Sequence, residues 1–182
     1  MMSFVIYLST TSTGEAGYKR MAFTDILTGY ENRMAFEHHL KACASLADRG
    51  EAVTLIIFDL NTLKKINDTY GHKAGDIYLK NTADYIFENL DGKAPLFRIG
   101  GDEFAAIFVG SGEVELDVIM QNMRTEKRIV YKNYPFNCAF GAATFESGMD
   151  KSLRDVFKRA DEAMYLEKIK AKMYPNTSYN YS

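Results

Sequence analysis

Three acidic residues are the first candidates for chemistry. Asp59 lies at the C-terminal end of an apolar, β-branched run, VTLIIFDL at 53–60, and Asp102-Glu103 follows two glycines in RIGGDEF at 98–104. If the two runs pair as antiparallel strands, the end of one lies beside the start of the other. Asp59, Asp102 and Glu103 then meet at one end of a sheet. Carboxylates gathered there repel unless a cation neutralises them. With oxygen donors and no neighbouring His or Cys, the expected ion is Mg²⁺ or Mn²⁺ rather than zinc. Carboxylates that hold such an ion loosely need phosphate oxygens to complete its shell.

Phosphate-binding groups stand close by in the chain. Leu60-Asn61-Thr62-Leu63-Lys64 runs from the strand end into a short helix, whose first free N–H groups attract anions, and Lys64 adds a full charge. Asp161, Lys168 and Lys172 share one face of the last helix, so both lysines can reach the same phosphates. Asn67 and Asp76 flank a break at Gly71. A carboxylate accepts two parallel hydrogen bonds from the guanine N1–H and N2–H₂ edge, and Asn can pair with O6 or an amino group. Adenine would leave Asp76 unpaired, so such a site rejects it. Gly100-Gly101 reads as a two-residue hairpin turn with both residues at positive φ, bare enough for a ligand to lie against the backbone.

The elements that must place these groups follow from periodicity. Residues 1–16 read as an extension or linker, 17–173 as one domain and 174–182 as a tail. Tyr18, Met21 and Ala22 have helical spacing. Asp25–Gly29 is a turn with a buried anchor. Asn32 caps a helix with Phe36, Leu40, Cys43 and Ala47 on one face, ended by Gly50. The run at 53–60 is a strand buried on both faces. A short helix from Thr62 to Asp68 precedes Gly71. A long helix from His72 to Asn89 carries Leu79, Ala83, Ile86 and Leu90 at core spacing. A hairpin of strands near 96–99 and 103–109 comes next. Ser111-Gly112 starts a helix with Val114, Val118, Met120 and Met123 inward. A strand spans 136–145 with Gly141 at a bulge. The last helix, from Ser152 to Lys172, has Leu153, Val156, Phe157, Ala160, Ala163 and Met164 on one stripe. A hairpin within an α/β order predicts an α/β (α+β) fold, with a mixed, largely antiparallel sheet flanked by helices. No G-x-G-x-x-G follows a strand, which disfavours a dinucleotide-binding Rossmann domain.

Composition narrows the partners. The 182 residues include 22 basic and 24 acidic ones, for a net charge of −2. That offers no field for polymeric nucleic acid, yet allows a single nucleotide held by local charges. The apolar fraction of 47% supports a full core. Cys43 and Cys138 read as free thiols in a reducing compartment. FVIYL at 4–8 is too short for a membrane span or signal core, so a soluble, cytoplasmic chain is expected.

Six segments in order resemble the GGDEF family of diguanylate cyclases. They are DILTGYENR at 25–33, FDLNTLKKIND at 58–68, TYGHKAGD at 69–76, RIGGDEF at 98–104, FGAA at 140–143 and ADEAMYLEK at 160–168. The resemblance spans residues 17–172. It implies a sheet like the palm of nucleotide cyclases and polymerases. It also implies condensation of two GTP to cyclic di-GMP with release of two pyrophosphates, by a two-metal mechanism with two Mg²⁺ or Mn²⁺ per site. Asp59, the Leu60 carbonyl and Asp102 match the metal ligands. Asp102 and Glu103 match the groups that assist deprotonation of the 3′-hydroxyl. Lys64, Lys168 and the Thr62 and Leu63 amides match phosphate ligands, with Lys64 placed to stabilise transition-state charge. Asn67, His72 and Asp76 match the nucleotide-reading set. The product has two equivalent linkages and one domain holds one GTP, so a homodimer is required.

Four positions depart from the family pattern. The inhibitory R-x-x-D is replaced by DGKA at 91–94, which removes the expected product-inhibition site. Ala171-Lys172-Met173 stands for G-R-N, keeping a charge but not the bidentate fork. Tyr30 replaces a usual leucine and Asn61 a common aspartate. A GTP-binding module without turnover, acting by interaction, is the alternative reading, and a parent protein with a sensory or membrane module is compatible with both. An adenine-containing product is disfavoured by Asp76.

Overall fold

The apolar run at 53–60 does become a strand buried over its whole length, and the sheet is built around it. A computed structural model describes residues 21–110, 113–126 and 128–173. The N-terminal extension, Tyr18, the helix start at Ser111-Gly112 and the C-terminal tail lie outside the described residues, as does the side chain of Val114.

Strands β1 (Glu31–Asn32), β2 (Val53–Leu60), β3 (Leu96–Arg98), β4 (Glu103–Val109) and β7 (Cys138–Thr144) form one sheet in the order β1-β3-β4-β2-β7. Only the short β1 pairs in parallel, with β3. β5 (Ile129–Tyr131) and β6 (Tyr134–Pro135) form a separate hairpin. Helices α1 (Arg33–Asp48), α2 (Leu63–Tyr70), α3 (His72–Leu90), α4 (Glu113–Thr125) and α5 (Leu153–Met173) complete the fold. The sheet is therefore mixed and largely antiparallel, as the hairpin within an α/β order requires.

Two apolar layers sandwich the sheet. Along β2 the side chains alternate by the strand period of two. Ile56, Phe58 and Leu60 join Ile66, Tyr78, Leu79, Ile86 and Met123 from α2, α3 and α4. Leu55 and Ile57 join Phe36 and Leu40 of α1 and Val156, Ala160 and Met164 of α5. Cover on both faces is why β2 is apolar before Asp59 except at Thr54, whose hydroxyl is hydrogen-bonded to that of Thr144 on β7. Cys43 is buried in the second layer and Cys138 packs against the first, both as free thiols.

Asn32 caps α1, accepting from the Met34 and Ala35 amides, and the chain leaves α1 through Gly50 at φ 82°. Residues 21–23 are helical and Leu27 is the anchor of the following turn, while Ile26 beside it is 99% exposed. α2 ends and α3 begins at one residue, Gly71 (φ 82°, ψ 166°), a conformation that side chains with a Cβ rarely adopt.

Three local expectations change. Neither Gly100 nor Gly101 is left-handed, and the connection is wider than two residues: Arg98 pairs with Phe104, and the Ile99 and Gly100 amides both donate to the Glu103 carbonyl. Gly100 instead makes room, since a Cβ there would run into the Glu103 side chain. Gly141 is not at a bulge. It sits in regular register opposite Ile57, and a Cβ would strike the backbone of α5 at Ala160 and Met164. Third, Val118 is 54% exposed, and Leu116, Ile119, Met120 and Met123 face inward on α4. The β1 strand and the β5–β6 hairpin were not read from the sequence, because each is too short to show a period.

Candidate active site

At the C-terminal end of β2 the chain brings its charged groups together. Asp59 pairs in register with Glu103 of β4, and the Leu60 amide donates to the Asp102 carbonyl at 3.0 Å. Asp59 has the parity of Leu55 and Ile57, so it belongs to the face that α5 covers. From α5, Lys168 donates to both oxygens of Asp59, each at 2.7 Å. Asp59 is only 6% exposed, so this pair excludes much of the solvent. Glu103 is pushed above the usual carboxylate range, first by burial and then by Asp59, Asp102 and Asp161, with Arg33 opposing. Negative charge is therefore concentrated at this edge, and α5 contributes to it through Asp161 as well as neutralising it through Lys168.

On the other side, α2 and α3 open a cleft of about 430 Å³. Leu63, Lys64, Asn67, His72, Asp76, Gly101 and Asp102 line it. Among the described residues no side chain caps the start of α2, which leaves the first amides of that helix available to an anion. Asn67 Oδ1 is buried with no hydrogen-bond partner among the described residues. Gly75 on α3 makes this possible, because a Cβ there would overlap the Asn67 amide. An acceptor left buried and unpaired is costly, and a ligand donor would satisfy it.

The sequence-derived set thus divides. Seven residues line the cleft. Asp59, Glu103 and Lys168 gather on the α5 side, and Leu60 joins the two through its bond to Asp102. Gly100 and Thr62 support the loop and the helix start without lining the cleft. Lys172 is exposed in the last turn of α5 and touches neither group. Among the described residues, no three His, Cys, Asp or Glu side chains are arranged as a metal-holding cluster.

Two arginines and one aspartate were not assigned a role from sequence, although they hold the acidic loop in place. Arg98 grips Asp25 at 3.0 and 3.1 Å and donates to the Gly101 carbonyl at 2.8 Å. Arg33 donates to the Ile99 carbonyl at 3.1 Å. Asp25 also accepts from the Thr28 amide and hydroxyl, both at 2.8 Å. Burial raises the Asp25 pKa, but those bonds and Arg98 outweigh it, and the net direction is down. The signal in the sequence was an arginine at the end of a buried strand, which needs a carboxylate partner.

Fold and site together describe a palm-like α/β domain with acidic groups gathered at one strand end. The family described as "Diguanylate cyclase, GGDEF domain" matches residues 22–173. Diguanylate cyclase DgcS of Shewanella oneidensis is 33% identical over 150 residues, covering 81% of this chain and 50% of the relative. The probable diguanylate cyclase DgcJ of Escherichia coli is 30% identical over 82% of this chain and 30% of its own length. The GGDEF-containing region of Caulobacter crescentus DgcB, solved with c-di-GMP, superposes with a TM-score of 0.76 at 28% identity, over 86% of each chain. The chain belongs to the diguanylate cyclase GGDEF domain family, and it spans half or less of the length of these curated relatives. No helix among the described residues is long and apolar enough to cross a membrane.

Proposed function

We propose that this chain condenses two GTP molecules into cyclic di-GMP, with two copies facing each other across a two-fold axis and each holding one nucleotide. The observation that carries the reading is Asn67 Oδ1, a buried acceptor with no partner among the described residues, on the wall of a cleft that also bears Asp76. Asp76 accepts from guanine N1–H and N2–H₂, and Asn67 takes a further polar atom of the base edge. The triphosphate lies along the uncapped start of α2, over the Thr62 and Leu63 amides, with Lys64 beside it. His72 borders the base and Gly101 the nucleotide's outer edge.

In each half-reaction the 3′-oxygen of one nucleotide bonds to the α-phosphorus of the other. The bond to pyrophosphate breaks, and the hydroxyl proton passes to a base. Glu103, with a raised proton affinity, and Asp102 stand where that proton leaves. Lys64 balances charge on the transferring group. Asp59, the Leu60 carbonyl and Asp102 fit a hard divalent cation: all three donors are oxygens, and Glu103 beside them is raised first by burial and then by the charge of Asp59, Asp102 and Asp161. When bound, Mg²⁺ or Mn²⁺ lowers the pKa of the attacking hydroxyl and screens the triphosphate. Lys168 then exchanges Asp59 for a phosphate oxygen. GTP and a second copy are the partners this reading requires; polymeric nucleic acid has no place in it.

Incubation of the chain with GTP or ATP and Mg²⁺, followed by chromatography, tests the proposal. Cyclic di-GMP from GTP alone is expected. Failure to form any cyclic dinucleotide, even with dimerisation enforced by a fused coiled coil, would sink it. One observation favours a second reading, a GTP-binding module without turnover: Lys168 occupies both oxygens of Asp59. Tight GTP binding with no product would select that reading.

A further inference from the structure

The hairpin β5–β6 lies outside the main sheet and plays no part in the chemistry above. Its tip is built unusually. Lys132 has φ 47°, a left-handed conformation that glycine or asparagine takes at less cost. The side chain of Lys132 is laid over the ring of Tyr70, with Nζ 3.8 Å from the centroid, and 5.5 Å from that of Tyr131. Tyr70 also packs edge-on against Tyr131 and Tyr134, at 6.4 and 6.1 Å. The left-handed tip thus presents the Lys132 ammonium to the Tyr70 ring.

Tyr70 is the last residue of α2 and directly precedes Gly71, where α3 begins. Asn67 lies one turn earlier on the same short helix. The far side of the hairpin is tied to α3, where Asn81 Nδ2 donates to the Val130 carbonyl at 2.6 Å. The hairpin therefore bridges the two helices on either side of the Gly71 junction. The same two helices form the cleft, and Gly75 of α3 leaves the narrow space that Asn67 fills. A small rotation of α2 about Gly71 would move Asn67 out of that space or into α3.

We propose that Lys132 and Tyr70 are positioning residues for guanine recognition: the hairpin pins the end of α2 and so sets Asn67 against the base. This rests on the guanine-nucleotide reading of the cleft. Lys132 touches no substrate in this arrangement, and it acts through Tyr70 and the helix.

Lys132→Gly separates the two roles of the residue. Glycine accepts φ 47° without strain, so the variant should melt no lower than the parent chain. It loses the cation, so its affinity for a non-hydrolysable GTP analogue, measured by calorimetry, should fall about fivefold. Lys132→Arg keeps a cation over the ring and should restore most of that affinity. Inorganic triphosphate should bind the parent and Lys132→Gly alike, because the effect runs through the base. In an Asn67→Ala background, Lys132→Gly should cause no further loss. Normal analogue binding by Lys132→Gly, or an equal loss for triphosphate alone, overturns the proposal while leaving the nucleotide reading intact. A parent chain that binds no guanine nucleotide removes both.

Discussion

The two sides of the sheet end are prepared in opposite ways. On the α2–α3 side the cleft is open and, among the described residues, the helix start has no side-chain cap and Asn67 Oδ1 no partner. On the α5 side the most buried carboxylate already has an opponent: Lys168 covers both oxygens of Asp59, while Glu103 is raised by burial and by the neighbouring carboxylates, with Arg33 opposing. The first side waits for a ligand, while the second satisfies itself until one arrives. The difference reflects cost. An unpaired amide oxygen loses one hydrogen bond, whereas an unpaired buried carboxylate carries several-fold more desolvation energy. Recognition of the base can be left preformed. The charge site cannot, so the chain supplies its own cation through a lysine on a neighbouring helix.

The strongest way to break this contrast is to remove one group from each side. Asp59→Asn should lower turnover by at least about 100-fold, since it removes a charge on which the charge-handling side depends, while leaving GTP-analogue affinity within a few-fold. Asn67→Ala should do the reverse, weakening binding of the analogue about tenfold through the loss of a buried hydrogen bond, with a smaller effect on turnover at saturation. Steady-state kinetics beside calorimetry distinguish the two, and identical profiles would dissolve the division.

A second change tests whether α5 alone controls the charged side. Gly141→Val would drive a side chain into the backbone of α5 at Ala160 and Met164. It should cost roughly 3 kcal/mol, read as a lower thermal midpoint. Gly141→Ala already sets a Cβ against that backbone, so it too should lower the thermal midpoint, though less than valine, and it should reduce turnover more than analogue binding, because α5 carries Lys168 and Asp161 while the cleft belongs to α2 and α3. Equal loss of both functions would show that α5 supports the cleft as well.

The smallest expected effect concerns Asp25, which anchors Arg98 and through it the loop that joins the two sides. Its pKa is lowered from 3.8, so its contribution to stability is present above that value. The contribution disappears as pH falls through the depressed value of the folded state. Asp25→Asn should therefore be less stable than the parent at neutral pH, with the gap closing in strong acid. Denaturant melts across a pH series check it. A gap that stays constant with pH would mean that the bonds to Thr28 matter and the charge does not.

Much of this was legible in the residues alone. The buried run at 53–60, the break at Gly71 and the Asn32 cap each have a local cause, in hydrophobic period, backbone conformation and side-chain capping. Antiparallel pairing of β2 with β4 was enough to bring Asp59 beside Glu103. The role of Gly141 was not visible, because its reason is the backbone of a helix that begins only at Leu153. Lys168 read as a phosphate ligand from its charge and spacing, and its bond to Asp59 depends on how deeply α5 sinks onto the small residues Ala139, Gly141 and Ala143 of β7.

Sequence by itself determined which groups exist, their order, and the strand end where they converge, since short-range period and register act over a few residues. Tertiary structure decided which side of that strand end each group serves. Parity along β2 and the docking of α5 put Asp59 with Lys168, while α2 and α3 took Asn67 and Asp76. Those assignments depend on packing between elements far apart in the chain, where no local pattern can specify distance or direction.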